Sequence, residues 1–151
     1  MKDKLKIVAA TDGACLGNPG IGGYAVVMEA KGKRKEISGY CKTQTTNNRM
    51  ELQAVICLVD WLNKYQKEPC DIQVLTDSQY IYNCHSHDRS WLTSDSRKNF
   101  DLWTELIEKG LEGGHFITFV KVKGHSGNEM NERADELATA AARRARHEIY
   151  G

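Results

Sequence analysis

The sequence predicts an α/β domain with a mixed β-sheet, and two observations carry that prediction. Short apolar runs typical of buried strands alternate with longer stretches in which apolar residues recur at helical spacing. Along the chain, these elements follow in the order three strands, a helix, a strand, helices, a strand and a final helix. A length of 151 residues suits one domain with a full core, so we expect a single domain over residues 1–151.

The first three strands are predicted to include a hairpin. Residues 6–11 form an apolar run, which we expect to end at a turn formed by Asp12 and Gly13. The hairpin is expected to consist of residues 23–28, residues 36–40 and, at its tip, residues 31–33.

The rest of the chain is predicted to alternate helices with two further strands. Val55, Leu58, Val59 and Leu62 fall on one face of a helix over residues 49–65. The remaining elements are a strand at 72–76 that ends at Asp77, a helix at 99–109 that ends at Gly110, a strand at 116–122 and an alanine-rich helix at 131–146.

Composition and cysteine spacing indicate the cellular compartment of the protein. No apolar run approaches the roughly 18 residues that a membrane span needs, and the N-terminus does not resemble a signal peptide. The five cysteines are an odd number, lie far apart and form no C-x-x-C pair, which argues against a disulfide framework or a zinc site. We therefore expect a cytoplasmic protein in a reducing compartment.

The net charge of +1 conceals a possible basic surface. If four of the 20 acidic residues bind metal, 21 basic residues face 16 acidic ones, which leaves a net charge of +5. Such a surface around a metal-neutralised acidic centre suits a nucleic-acid enzyme, although many other proteins share this balance.

Four acidic residues occupy positions from which they can converge. Asp12 and Asp77 each follow an apolar run and a threonine, so both are expected at the carboxyl edge of two parallel central strands. Glu51 falls in the first turn of the crossover helix, and Asp135 falls in the first turns of the last helix. Converging carboxylates repel each other unless a cation is present, and oxygen ligands suit Mg²⁺ or Mn²⁺.

Each of these acids also has a structural interpretation. Glu51 would complete a capping box if Asn48 were the N-cap of the helix. Asp135 would favour the positive end of its helix dipole. Asp12 and Asp77 would serve as turn residues. Taken singly, each acid favours the structural interpretation, and only their combination with the surrounding motifs favours a site.

Those motifs resemble the bacterial-type (type one) ribonucleases H in order and in near-family spacing over residues 7–142. The matching stretches are 11–13 (TDG), 15–20 (CLGNPG), 22–24 (GGY), 45–52 (TTNNRMEL), 76–80 (TDSQY), Asn99 with 101–103 (DLW), 122–127 (VKGHSG), 131–133 (NER) and 135–138 (DELA).

The resemblance implies a fold, a reaction and a set of ligands. The fold would be ribonuclease H-like, with a five-stranded mixed sheet flanked by helices. The reaction would be two-metal hydrolysis of the RNA strand of RNA–DNA hybrids by a monomer, giving 5′-phosphate and 3′-hydroxyl ends. The ligands of two Mg²⁺ ions, or of Mn²⁺, would be Asp12, Glu51, Asp77 and Asp135.

The resemblance also assigns one histidine and a set of substrate contacts. His125 matches a histidine that assists proton transfer or product release, although a lone loop histidine is more often a solvated bystander. Short polar side chains suit recognition of the 2′-hydroxyl of RNA. By resemblance, the RNA path is lined by Cys15, Asn18, Asn47, Asn48 and Gln79, and a phosphate of the DNA strand is held by Thr46 and Asn99.

The sequence departs from the family pattern in two places. A basic protrusion is expected near residues 80–98, but that stretch is short, with three basic residues against two aspartates. Gln44 stands where relatives often carry an arginine near the DNA phosphate. Arg143, Arg144 and Arg146 could compensate by contacting the nucleic-acid backbone, or they could simply favour the end of the last helix.

Two other classes of function compete with the ribonuclease. A hybrid-binding module without catalysis would have lost carboxylates, and all four are present. An integrase or resolvase of related fold would act on duplex or branched DNA. The cluster of Asn and Gln residues and the 123–127 loop (KGHSG) argue against that alternative.

Overall fold

The structure, a computed structural model, describes residues 4–86, 98–124 and 127–150. Its centre is a five-stranded mixed sheet with the strand order β3-β2-β1-β4-β5. The strands are β1 (Leu5–Leu16), β2 (Ile21–Ala30), β3 (Lys33–Tyr40), β4 (Cys70–Thr76) and β5 (Phe116–Lys121). The predicted α/β class, the hairpin and the parallel pairing of the two central strands are confirmed.

Helices flank this sheet. They are α1 (Asn47–Trp61), which continues into a π-helical turn (Leu62–Gln66), α2 (Gln79–Ser86), α3 (Phe100–Gly113) and α4 (Glu129–Tyr150). Among the helices described, none is long and apolar enough to cross a membrane. All five cysteines are free thiols, as their spacing predicted.

The prediction that a helix ends at Gly110 was wrong. Gly110 is buried within α3, which runs on to Gly113. The helix ends at Gly114, whose φ of +67° is a left-handed conformation that glycine adopts without strain. A helix tolerates an internal glycine at a cost of about 1 kcal/mol. A glycine therefore marks the end of a helix only where its backbone adopts a left-handed conformation.

The prediction that the first strand ends at Asp12 was also wrong. Strand β1 pairs with β4 only as far as Ala10, opposite Leu75, but it continues along β2 to Leu16. The neighbouring antiparallel strand satisfies the backbone of β1 beyond Asp12, so no turn is needed there. Asp12 therefore lies on a strand at the point where its other neighbour has ended, which leaves the carboxylate beside an opening in the sheet.

The start of α1 differs from the predicted capping box. The N-cap is Thr46, whose hydroxyl oxygen accepts a hydrogen bond of 3.3 Å from the backbone N–H of Arg49. Asn48 is therefore inside the helix, and Glu51 is too far along it to complete a capping box. The capping-box interpretation of Glu51 was therefore wrong.

The two faces of the sheet carry different cores. Large aliphatic residues fill the space between the sheet and α1, including Leu52, Val55 and Val74. On the other face, α4 presents small residues such as Ala134, so that its backbone lies close to the sheet. A Cβ atom on Gly23 would collide with the backbone of Ala138, which shows how closely α4 approaches β2. This close packing fixes the position of Asp135 on α4.

Candidate active site

Three of the four predicted carboxylates come together at the edge of the sheet. Ligand oxygens of Asp12, Glu51 and Asp77 lie within 4.8 Å of one another. Asp12 comes from β1, Glu51 from the early turns of α1 and Asp77 from the residue after β4. The N-terminal part of α1 packs directly on β1, since a Cβ on Gly13 would lie 2.5 Å from the backbone nitrogen of Glu51.

The fourth carboxylate, Asp135, approaches from α4. It lies near enough to Asp12 to contribute to a raised pKa of that group. Burial is the main reason that the pKa of Asp12 is raised to about 7, and the charges of Asp77 and Asp135 add to it. Burial also raises the pKa of Glu51 well above its ordinary value, and the adjacent Asp12 reinforces the shift.

This arrangement suits a hard divalent cation. Asp12 and Glu51 are only 4% and 8% exposed, and Glu51 Oε2 is buried without a hydrogen-bond partner among the described residues. A buried carboxylate oxygen without a partner carries a substantial desolvation cost. A bound cation would both supply that partner and relieve the repulsion among the carboxylates.

The loop after β5 lies against this cluster. A Cβ on Gly124 would lie 3.2 Å from Asp77 Oδ2. His125 is the next residue in the sequence, but it lies outside the described residues. Its assignment as a catalytic residue therefore stays a prediction.

The predicted RNA contacts fall on two neighbouring segments. The Cys15 thiol donates to the carbonyl of Thr45 at 3.5 Å, and Asn18 Oδ1 accepts from the backbone N–H of Asn47 at 3.2 Å. Asn18, Asn47 and Asn48 are all exposed to solvent. We call Cys15, Asn18, Asn47 and Asn48 the amide strip. The oxygen of Asn18 thereby also satisfies the first backbone N–H of α1.

Gln79 lies apart from the amide strip, at the start of α2. It is exposed, and its Nε2 donates to Asn83 Oδ1 at 2.6 Å. The structure therefore does not join Gln79 to the amide strip by a hydrogen bond.

Thr46 and Asn99 are connected through Arg49. Thr46 caps the backbone of Arg49, and Arg49 Nη1 donates to Asn99 Oδ1 at 3.3 Å. Asn99 Nδ2 in turn donates to the hydroxyl of Tyr80 at 2.9 Å. Arg49 also forms two hydrogen bonds with the carboxylate of Asp101, at 3.0 and 2.8 Å.

The sequence reasoning missed Arg49, Tyr80, Asp101 and Trp103 as parts of this network. Trp103 Nε1 donates to the same Tyr80 hydroxyl at 2.9 Å. All four residues lie within the quoted motifs, so the signal was present. Their connection was not visible because α1, α2 and α3 meet only in the folded chain.

One cavity is remote from the carboxylates. Its volume is about 490 Å³, and its lining includes Asn63, Pro69 and His115. Pro69 and His115 precede β4 and β5, so the cavity lies at the opposite edge of the sheet. His115 is held there by the backbone N–H of Cys70, which donates to Nδ1 at 3.0 Å, and by Asn63 Oδ1, which lies 2.6 Å from Nε2.

His115 predicts a pH-dependent stability. Burial, with a contribution from Lys4, lowers the pKa of His115 below 6.5, because the folded protein favours the neutral imidazole. Stability from this residue is therefore present above about pH 6.5 and is lost as the pH falls through the lowered value. Between about pH 8 and pH 5, the native protein should lose more melting temperature than a His115→Gln variant. The control is His147→Gln, which changes an exposed residue of α4 and should behave as the native protein does. Equal losses of melting temperature in all three proteins would contradict the prediction.

Comparison with known proteins agrees with this fold and site. Residues 4–143 match the family model described as RNase H. The chain is 46% identical to a ribonuclease H of Francisella philomiragia, over 91% of both chains, and 46% identical to one of Thermoanaerobacter sp., over 95% of both chains.

Solved structures are similar as well. LC9-RNase H1, a type 1 RNase H, superposes with a TM-score of 0.80 at 26% identity, over 96% of this chain and 75% of that chain. LC11-RNase H1 in complex with an RNA/DNA hybrid gives a TM-score of 0.65 at 27% identity, over 92% of this chain and 98% of that one. Together with the five-stranded sheet, these matches define the ribonuclease H fold class. The chain belongs to the RNase H family of enzymes, as the motifs predicted.

Proposed function

We propose that this enzyme hydrolyses the RNA strand of RNA–DNA hybrids, with Asp12, Glu51, Asp77 and Asp135 as ligands of Mg²⁺. Mn²⁺ would bind the same oxygen ligands. The observation that carries the proposal is the convergence of Asp12, Glu51 and Asp77 within 4.8 Å. The buried Glu51 oxygen without a partner supports it further.

The proposed reaction follows from this ligand set. Two bound Mg²⁺ ions would supply an activated water and stabilise charge on the leaving oxygen. The water attacks phosphorus and the bond from phosphorus to the 3′-oxygen breaks, so the products carry 5′-phosphate and 3′-hydroxyl ends. The four carboxylates would hold these ions, and His125 would assist the proton transfer to the leaving oxygen or the release of product.

Hybrid recognition is proposed to rest on the amide strip and on Gln79. Exposed amides offer both a donor and an acceptor to the 2′-hydroxyl of the RNA strand. The complex of LC11-RNase H1 with an RNA/DNA hybrid supports the same substrate for this chain. We propose that the enzyme acts as a cytoplasmic monomer, and its five free thiols suit a reducing compartment.

A phosphate of the DNA strand is proposed to bind beside Thr46 and Asn99. The Arg49 guanidinium donates to Asn99, and its charge is shared with the carboxylate of Asp101. Gln44 carries no charge, and Arg49 is the cation that the described residues join to Asn99 by a hydrogen bond.

Asn99→Ala should test this pocket. The substitution removes a candidate phosphate donor and leaves the Tyr80 hydroxyl without its partner amide. Loss of one such contact is worth about 1 kcal/mol, so KM for the hybrid should rise by roughly fivefold with kcat little changed. Steady-state kinetics measure both constants. An unchanged KM would contradict the assignment, and a fall in kcat alone would place Asn99 in the reaction instead.

The substrate is tested by incubating the enzyme with a labelled hybrid, double-stranded DNA and double-stranded RNA. We expect cleavage of the RNA strand of the hybrid with Mg²⁺ and none with chelator. Tight hybrid binding without cleavage would indicate a binding module, and cleavage of double-stranded DNA would indicate a nuclease of the integrase class.

A further inference from the structure

The second half of α4 is basic, since it carries three arginines and one histidine against a single acidic residue, Glu148. Residues 137–147 contain three arginines and one histidine but no Asp or Glu. The helix begins with acids, among them Glu129, Glu132 and Asp135, so charge is divided along its length. This distribution makes α4 a candidate for contact with an anionic partner.

A helix dipole does not explain these arginines. The sequence predicted that the helix ends at residue 146, which would place the arginines in its last turn. In the structure, α4 continues to Tyr150, and the basic residue of its last turn is His147. The dipole acts mainly within the last turn, so it gives little reason for arginines at positions 143 and 146.

Arg143 and Arg146 also lack ion-pair partners in the part of the chain that the structure describes. Both side chains are exposed. Two other arginines do have ion-pair partners, since Arg34 pairs with Glu129 and Arg133 pairs with Glu36. The two C-terminal arginines are therefore available to an external anion.

Helix geometry places Arg146 on the same side of α4 as Asp135. The two residues are eleven positions apart, which is three full turns and about 20° further round, with a rise of about 17 Å. Arg143 lies eight positions after Asp135, about 80° round and about 12 Å along the axis. Because Asp135 faces the carboxylate cluster, Arg146 lies further along the same edge of the helix.

The end of α4 reaches the segments that carry the amide strip. Ile149 and Tyr150 line a cavity of about 350 Å³ together with Gly20 and Lys42. Gly20 forms a bridge with Thr45, whose carbonyl accepts from Cys15. Lys42 is exposed and forms no ion pair with the residues that the structure describes, so it adds a third available cation beside this cavity.

We propose that Arg143, Arg146 and Lys42 form a cationic strip that contacts the phosphodiester backbone of the bound hybrid a few nucleotides from the cleavage site. This inference rests on the proposed function and adds a second contact region to it. The strip begins at about 12 Å from Asp135 along α4, so it meets phosphates beyond the one that reacts. The cationic strip would add phosphate contacts to those available from residues 80–98, which carry only three basic residues against two aspartates.

The strip is tested with an Arg143→Gln/Arg146→Gln double variant and a separate Lys42→Gln variant. The matched control is Lys33→Gln/Lys35→Gln, which removes the same charge from exposed positions at the start of β3, next to Ala30 and Met28 rather than to the amide strip. Melting curves establish that every variant is folded. Hybrid binding is measured by fluorescence anisotropy in chelator, and KM and kcat are measured with Mg²⁺ across a salt series.

For the double variant we expect KM and the dissociation constant to rise by several-fold to about tenfold, with kcat within about twofold of the native value. The slope of log affinity against log salt should flatten by about one to two, since each lost phosphate contact contributes about 0.9. Lys42→Gln should show about half of that change in slope. The effect should vanish for hybrids too short to reach the strip.

The proposal would be overturned if the double variant kept the native affinity and salt slope. It would also be overturned if the control variant weakened binding equally, or if short hybrids showed an equal effect. These outcomes are separable from failure of the proposed function. If the native protein does not cleave hybrids, the proposed function fails, whereas a native protein that cleaves hybrids with an unaffected double variant removes only the strip.

Discussion

Asp12→Asn is expected to abolish most hybrid cleavage while leaving the fold intact. The substitution removes one charged ligand from the centre of the carboxylate cluster but keeps the shape of the side chain. Activity should fall by several orders of magnitude, because both metal binding and the charge stabilisation that it supplies are lost. The rate of cleavage of a labelled hybrid at saturating Mg²⁺ measures this effect, and Asp77→Asn should behave in the same way.

The same variant should be at least as stable as the native protein without metal. The pKa of Asp12 is raised to about 7, so the folded state disfavours the ionised carboxylate. The cost is present above about pH 7 and is relieved as the pH falls toward the ordinary value of 3.8. In chelator at about pH 8, Asp12→Asn should therefore melt a few degrees higher, at about 2–4 °C per kcal/mol, and the difference should shrink at about pH 5.

Glu108→Gln is the control, since it removes one negative charge from an exposed position on α3. It should retain native activity and native stability at both pH values. An Asp12→Asn protein that is clearly destabilised and still active would show that Asp12 is a structural residue.

His125→Ala is expected to have the next largest effect. A positioned acid–base group or a group that speeds product release contributes to turnover but little to substrate affinity. We expect kcat to fall by roughly 10²-fold or less, with the dissociation constant of the hybrid almost unchanged. Single-turnover and steady-state rates separate the two explanations, since a role in product release affects only the latter.

The control for His125 is His147→Ala, which changes an exposed histidine on α4. It should keep native kcat. Unaltered turnover in His125→Ala at saturating hybrid would identify His125 as a bystander.

The strands and the pairing of the sheet were predictable because apolar patterns report burial. The limits of β1 were not, because the backbone of residues 12–16 is satisfied by residues 21–25 of β2, a pairing that the local turn signal at Asp12 and Gly13 does not reveal. Asp-Gly is a turn signal only where no neighbouring strand continues the ladder. The predicted end of α3 was wrong for a similar reason, since Gly110 is buried within the helix.

The carboxylate site was predicted from motifs more than from geometry. Asp77 does follow the end of β4, whereas Asp12 reaches the same place from within β1. The raised pKa values of Asp12 and Glu51 depend on burial, which single-residue patterns do not reveal. The Arg49–Asn99–Tyr80 network joins three helices, so it was beyond the reach of local sequence reasoning.

Titration with Mn²⁺, followed through the paramagnetic resonance signal of the free ion, tests the metal site most directly. The native protein and Glu108→Gln should deplete the free-ion signal equally. Asp12→Asn and Glu51→Gln should bind Mn²⁺ at least roughly tenfold more weakly, because each loses a carboxylate ligand. Equal binding by all four proteins would contradict the assignment of these carboxylates as the metal site of the enzyme.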